Sequence, residues 1–236
     1  MSNFPPTRWS LISAIRLSDE TAAGNAIEEL CRIYHPAVLA FAKLSLRNDQ
    51  DAEDLTQDFF ADLLSRGRMA QADSRAGKFR TFLLADFKFK LLDHLKRERA
   101  AKRGGTDEHV SIDNLTGEET PITLPDAAAF DVQWALAVVR ESVRLLEQEE
   151  ASKSGGIPFG ELKRFLPGYQ ATGSPSYEDL EKRFGVSTGA LRVRVNRMRQ
   201  RYKELLNSVL ADTVSSAADL ESERQALLGG LLRSLG

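Results

Sequence analysis

The sequence predicts an all-α protein of two helical domains joined by a linker, on three observations. Apolar residues recur at helical spacing along nearly the whole chain of 236 residues. No segment shows the sustained two-residue alternation of a strand. Residues 104–130 break the pattern, with two Pro, three Gly, six acids and no Lys or Arg. The expected division is therefore a helical bundle over 1–103, a linker over 104–130, a second helical domain over 131–210 and an extension over 211–236.

Trp9, Leu11, Ile12 and Ile15 open a short amphipathic segment after Pro5-Pro6, and Thr21 can cap a helix carrying Ala26, Ile27, Leu30 and Ile33. His35-Pro36 should end that helix, because the residue before proline is pushed out of the α region. Val38, Phe41, Ala42 and Leu46 then mark a third segment. From Asp51 to Leu64 two stripes share one helix. Leu55, Phe59 and Leu63 form the apolar one, and Asp51, Asp54, Asp58 and Asp62 the acidic one. Arg66-Gly67-Arg68 closes it. Phe79 to about Arg103 reads as a long helix or a pair of helices burying Phe82, Leu83, Phe87, Leu91, Leu92 and Leu95.

The second domain opens with a helix from about Asp131 to Glu150, and a shorter one carries Phe159, Leu162, Phe165 and Leu166. Ser176 or a neighbour caps Tyr177 to Phe184, Gly185-Val186-Ser187 turns the chain, and Thr188 begins a helix to about Val209. Leu180, Phe184, Val186, Leu191, Val195, Met198 and Tyr202 give one core stripe across both, the pattern of a helix-turn-helix with glycine in its turn. Beyond residue 211, Leu220, Leu227, Leu228, Leu231, Leu232 and Leu235 suggest a final amphipathic helix, which either folds back on the core, the preferred reading, or acts as a regulatory or partner-binding segment.

Charge is segregated although the formal net charge is only −2. Residues 49–65 hold six acids and no base; 78–103 hold nine Lys/Arg against Asp86, Asp93 and Glu98; 182–203 hold eight Lys/Arg and no acid. Like charges at i,i+4 cost a helix a few tenths of a kcal/mol per pair, so the acidic stripe calls for a basic partner unless it is a plain solvated face. Phe79-Arg80 and Phe87-Lys88-Phe89-Lys90 interleave aromatics with cations, which lets single-stranded bases stack while phosphates are held; Phe79 and Phe89 are expected to be the less buried rings. In the last segment Arg192, Arg194, Arg197, Arg199, Arg201 and Lys203, with Asn196, face outward as a basic helix that can grip phosphates or read guanine edges.

Other classes fare worse. Cys31 is the single cysteine, and Cys31, His35, His94 and His109 share no ligand-like spacing, so no metal or other cofactor is expected. No phosphate-binding glycine loop occurs, and one helix of aspartates without a second ligand set is weak ground for a metal. No enzyme is expected. The start Met-Ser-Asn-Phe-Pro-Pro lacks signal-peptide features and no apolar run approaches bilayer length, which points to a cytoplasmic protein without membrane insertion.

Taken in order, Asp51-Ala-Glu-Asp-Leu-Thr-Gln-Asp-Phe-Phe, Phe79-Arg-Thr-Phe-Leu-Leu with the basic helix after it, and Tyr177 to Leu206 resemble a bacterial sigma-70 family RNA polymerase sigma factor of the extracytoplasmic-function group. Thr7-Arg-Trp-Ser-Leu and Phe130-Asp-Val-Gln-Trp-Ala-Leu resemble one branch of that group. The resemblance implies that the two domains correspond to sigma regions 2 and 4. Asp51, Glu53, Asp54, Gln57 and Asp58 would then dock on the clamp coiled coil of the polymerase β′ subunit. Phe79, Arg80, Lys88, Phe89, Lys90, Lys96 and Arg97 would hold the melted −10 promoter element, with an unstacked base in a pocket near the loop before Phe79. Thr188, Arg192, Arg194, Asn196, Arg197 and Arg199 would read the −35 element as duplex DNA, and the acidic linker would lie in the enzyme's RNA channel. An anti-sigma factor or a regulatory kinase acting at Thr56 stands as a further partner to be tested, an unmodified Thr56 being the preferred reading. The rival is a stand-alone helix-turn-helix regulator that never binds polymerase.

Overall fold

In a computed structural model, the structure describes residues 20–65, 78–102, 122–151, 156–167, 169, 176–214 and 216–234. These form eight helices and no strand: α1 Glu20–Ser45, α2 Asp49–Ser65, α3 Phe79–Lys102, α4 Ala128–Ala151, α5 Phe159–Lys163, α6 Tyr177–Phe184, α7 Thr188–Ala211 and α8 Ala217–Arg233. The expected segment at Trp9–Ile15, the closing Arg66-Gly67-Arg68 and most of the 104–130 linker lie outside the described residues. Packing divides the chain into two compact units, one made of residues 1–137 and 212–236, the other of 138–211. The division falls inside α4, and the extension groups with the first unit.

In the first unit α1, α2 and α3 pack around rings. Phe87 sits edge-on to Phe59, with centroids 5.1 Å apart, and to Phe41 at 6.3 Å, the T-shaped geometry that aligns ring edges with π faces. Tyr34, Val38, Leu83 and Leu91 complete a core into which α4 adds Phe130 and Trp134. Pro36 does not end its helix. It lies inside α1, whose neighbours Tyr34, Ala37 and Val38 are fully buried. A mid-helix proline costs about 3 kcal/mol, and burial of the residues on either side offsets that here.

Asn48 starts α2. Its Oδ1 accepts from the Gln50 N–H at 3.0 Å, capping α2, and Asp49 and Asp51 lie in that helix's positively polarised first turn. In the second unit Ser176 and Asp179 form a reciprocal capping box at the start of α6. Gly185, at φ 69°, ends α6 in the left-handed conformation and donates its N–H to the Glu181 carbonyl at 2.8 Å. Two residues later Ser187 caps α7 by accepting from the Ala190 N–H at 3.3 Å. Leu180, Leu191, Val195, Met198 and Tyr202 bury into one core with Val143, Leu146, Leu162 and Leu166.

Candidate polymerase and nucleic-acid interfaces

Burial of Ala52, Leu55, Phe59 and Leu63 turns the opposite side of α2 outward, where Asp51, Asp54, Gln57 and Asp58 are exposed. Asp54 accepts from Gln50 Nε2 at 2.9 Å. Glu53 stands apart from this row. It is half-buried and bound by Lys43 Nζ at 2.9 Å, and the same ammonium holds Asp49 at 3.1 Å. Those two hydrogen bonds, Glu53 first, raise the Lys43 pKa. Acids of α2 outside the outward row thus draw compensation from α1, a partner hidden from any scan of α2 alone. Lys90 likewise binds Asp62 at 2.7 Å.

Thr56 lies on the buried side of α2, fully inaccessible, and its Oγ1 has no hydrogen-bond partner. Thr56 is therefore out of phase with the outward acidic row.

The basic residues of α3 do not share one face. Phe79, expected among the less buried rings, is 1% exposed and packs edge-on to Tyr34 with centroids 5.0 Å apart. It begins the row Phe79, Leu83, Phe87, Leu91 that fills the core, so its phase excludes stacking on a base. Phe89 is 72% exposed. Lys96 and Arg97 are also outward, Arg97 pairing with Asp93 at 2.8 Å. Lys88 lies 5.6 Å over the Phe41 ring. An open groove of about 500 Å³ between α2 and α3 brings Asp58 of the acidic row together with Phe89, Lys90 and Arg97 of the basic set. The loop before Phe79, expected to form a base pocket, lies outside the described residues.

Arg80 points inward. Its guanidinium grips Glu223 of α8 through two bonds, Nε to Oε2 at 3.1 Å and Nη2 to Oε1 at 3.2 Å, and also bonds Asp131 of α4. Trp134 stacks 4.7 Å beneath it. Burial pulls the Arg80 pKa down, but the Glu223 and Asp131 carboxylates more than offset this and the net shift is upward. Glu223 itself is 0% exposed, with Lys78 Nζ a further 3.5 Å partner. Sequence reasoning missed this acid. Its signal was phase: Leu220, Glu223, Leu227 and Gly230 share the inner stripe of α8, where an acid has no place unless a cation meets it.

In the second unit the outward row of α7 is Gly189, Arg192, Val193, Asn196, Arg197 and Gln200. Thr188 is half-buried at its start. Arg192 lies 5.7 Å over the Tyr177 ring. Two of the arginines predicted for DNA make contacts within the unit: Arg194 binds Glu150 at 3.4 Å, and Arg199 donates to the Phe165 carbonyl at 2.9 Å. Arg201 bonds both Glu149 and Glu204.

Residues 30–101 match the family model of sigma-70 region 2. The matched segment runs from Leu30 within α1 to the last turn of α3, and so contains the acidic row, the groove and the basic helix. It supports a member of the sigma-70 family, and a region 2 domain suggests sigma-factor function. Nothing among curated proteins or solved structures matches the chain at a significant level. Among the described residues no group of three or more His, Cys, Asp or Glu could hold a metal ion, and no helix is long and apolar enough to cross a membrane.

Proposed function

We propose that this chain is a cytoplasmic sigma factor of the extracytoplasmic-function group, which binds core RNA polymerase and directs promoter recognition, melting and initiation. The observation that carries the reading is the outward row Asp51, Asp54, Gln57 and Asp58 within the region 2 match. A basic coiled coil of the β′ clamp is its complement: it would relieve the like-charge spacing of α2, with Glu53 kept in register by Lys43. On α3 the −10 element would be met from outside by Phe89, Lys96 and Arg97, an exposed ring beside two cations.

The −35 element would be read by the second unit as region 4. Its support is the three-residue turn at Gly185, which leads directly into a helix whose outer row carries Arg192, Asn196 and Arg197. Arg194 and Arg199 would fix that helix rather than touch bases. The acidic linker over 104–130 would thread the enzyme's RNA channel. No bond is made or broken by the protein; binding energy opens a promoter and positions it.

Core polymerase binding by the purified chain, set against a folded Asp54→Arg, Asp58→Arg double variant, tests this. Tight binding by the parent and its loss in the variant are expected. Absence of binding by the parent, with a competent polymerase and no masking partner, would replace this reading with the stand-alone regulator, since the outward row of α7 could serve either.

A further inference from the structure

Arg80 is turned inward onto Glu223 of the same chain, and the partly exposed Lys78 bonds Ser222 Oγ at 2.5 Å with Glu223 3.5 Å away. We propose that the cationic start of α3 is an anion site that Glu223 of α8 occupies, and that takes a backbone phosphate of single-stranded DNA when α8 lets go. The C-terminal helix is then a built-in competitor for nucleic acid. The inference rests on the sigma-factor reading only for the source of the strand.

The site is built like a phosphate site. Lys78 and Arg80 flank the first residue of α3, and Arg80 offers two parallel N–H groups to two oxygens at 3.1 and 3.2 Å, the fork that suits carboxylate and phosphate alike. The first turn of α3 contains no acid, so its positive end is uncompensated from within the helix. Glu223 supplies the anion from the far end of the chain.

The occupant is held lightly for its length. Of the 17 residues of α8, only Glu223, Leu227 and Gly230 are buried, while Leu228 and Leu232 are exposed. Gly229-Gly230 lies in the helix interior, where each glycine costs about 1 kcal/mol relative to alanine. An element with few buried apolar contacts opens below the global unfolding free energy. A fully buried carboxylate is stable only while its cations face it, so the same charges that hold α8 become available when it leaves.

Gly230 provides a way to move α8 without touching a charge. A Cβ there would lie 2.8 Å from the Ala135 Cβ and 2.8 Å from the Asp131 carbonyl oxygen, so Gly230→Val wedges the helix outward. The measurement is anisotropy of a short fluorescein-labelled single strand of mixed sequence with the full-length chain, alongside hydrogen exchange of the α8 amides. Gly230→Val is expected to speed exchange in α8 and to tighten strand binding by up to about tenfold, if the parent site is open roughly a tenth of the time. Release of α8 frees Lys78 and the two Arg80 N–H groups that faced Glu223, while Arg80 keeps its Asp131 bond, so the slope of log K against log salt should steepen by about 0.7 to 1.4. Arg80→Ala placed on Gly230→Val should abolish the gain. Glu223→Gln, which removes the charge without a wedge, should move exchange, affinity and slope in the same directions and guards against a wedge that disturbs the fold.

Faster α8 exchange with unchanged affinity and slope would overturn the proposal, because the freed cations would then not meet phosphate. So would unchanged exchange in both variants, which would make α8 a permanent part of the first unit. A chain that binds polymerase yet shows neither change loses only this inference. One that never binds polymerase loses the proposed function itself.

Discussion

The helices α3 and α7 look alike in sequence, each 24 residues long and crowded with cations, yet the fold directs those cations differently. On α3, Arg80 turns inward to Glu223 and Asp131, Lys90 pairs with Asp62, and Arg97 pairs with Asp93. On α7 the bracing arginines Arg194, Arg199 and Arg201 hold partners in their own unit, while Arg192 and Arg197 share an exposed row with Asn196. Charge density along a chain therefore does not fix charge on a surface. What decides is the phase of each cation relative to acids that arrive from other elements, and those acids can be 143 residues away, as Glu223 is from Arg80.

The largest test of this contrast is stability. Arg80→Ala leaves Glu223 buried beside Lys78 alone, and removing one partner of a buried pair costs about 3 kcal/mol. Arg197→Ala, on the exposed row of α7, should cost under about 0.5 kcal/mol. Denaturant unfolding of both full-length variants measures the difference. Equal, small losses would mean that the inward pairing of Arg80 contributes little and that the two helices are more alike than their geometry indicates.

Duplex binding should reverse the ranking. Arg192→Ala and Arg197→Ala are each expected to weaken binding to a −35-type duplex by about 1 kcal/mol and to flatten the salt dependence by about 0.9 in log–log slope. Arg194→Ala, which loosens Glu150 (8% exposed), should leave that slope nearly unchanged while lowering stability. A slope change at Arg194 equal to that at Arg197 would erase the distinction between bracing and outward arginines.

Much of the second unit was legible because its instructions are local. Ser176, Gly185 and Ser187 each act within four residues of themselves, and the stripe from Leu180 to Tyr202 needs only helical phase to be read. The outward acidic row of α2 was legible for the same reason. Illegible features depended on distant partners: Lys43 on Glu53, Asp131 and Glu223 on Arg80, and the core that keeps α1 helical through Pro36. Phe79 shows the limit within a single helix. Alternating rings and cations suggested a stacking platform, but its place in the four-residue series with Leu83, Phe87 and Leu91 makes it core.

The smallest expected effect bears on the outer face of α3, where Asp93 shares the surface with the cations. Asp93 and Arg97 are paired at 2.8 Å with side chains 58% and 80% exposed, and such an i,i+4 pair is worth about 0.3 kcal/mol in water. Asp93→Asn should therefore leave the unfolding midpoint nearly unmoved. It removes one negative charge between Phe89 and Arg97, on the groove they share with Asp58, and should tighten binding of a labelled single strand about twofold, an effect the size of one screened surface charge that fades at high salt. Because stability is held constant, the result isolates the electrostatics of that face. Unchanged affinity at low salt would remove Phe89, Lys96 and Arg97 as a strand-binding row, and the outward cations of α7 would then stand as the nucleic-acid surface to which the contrast between the two helices reduces.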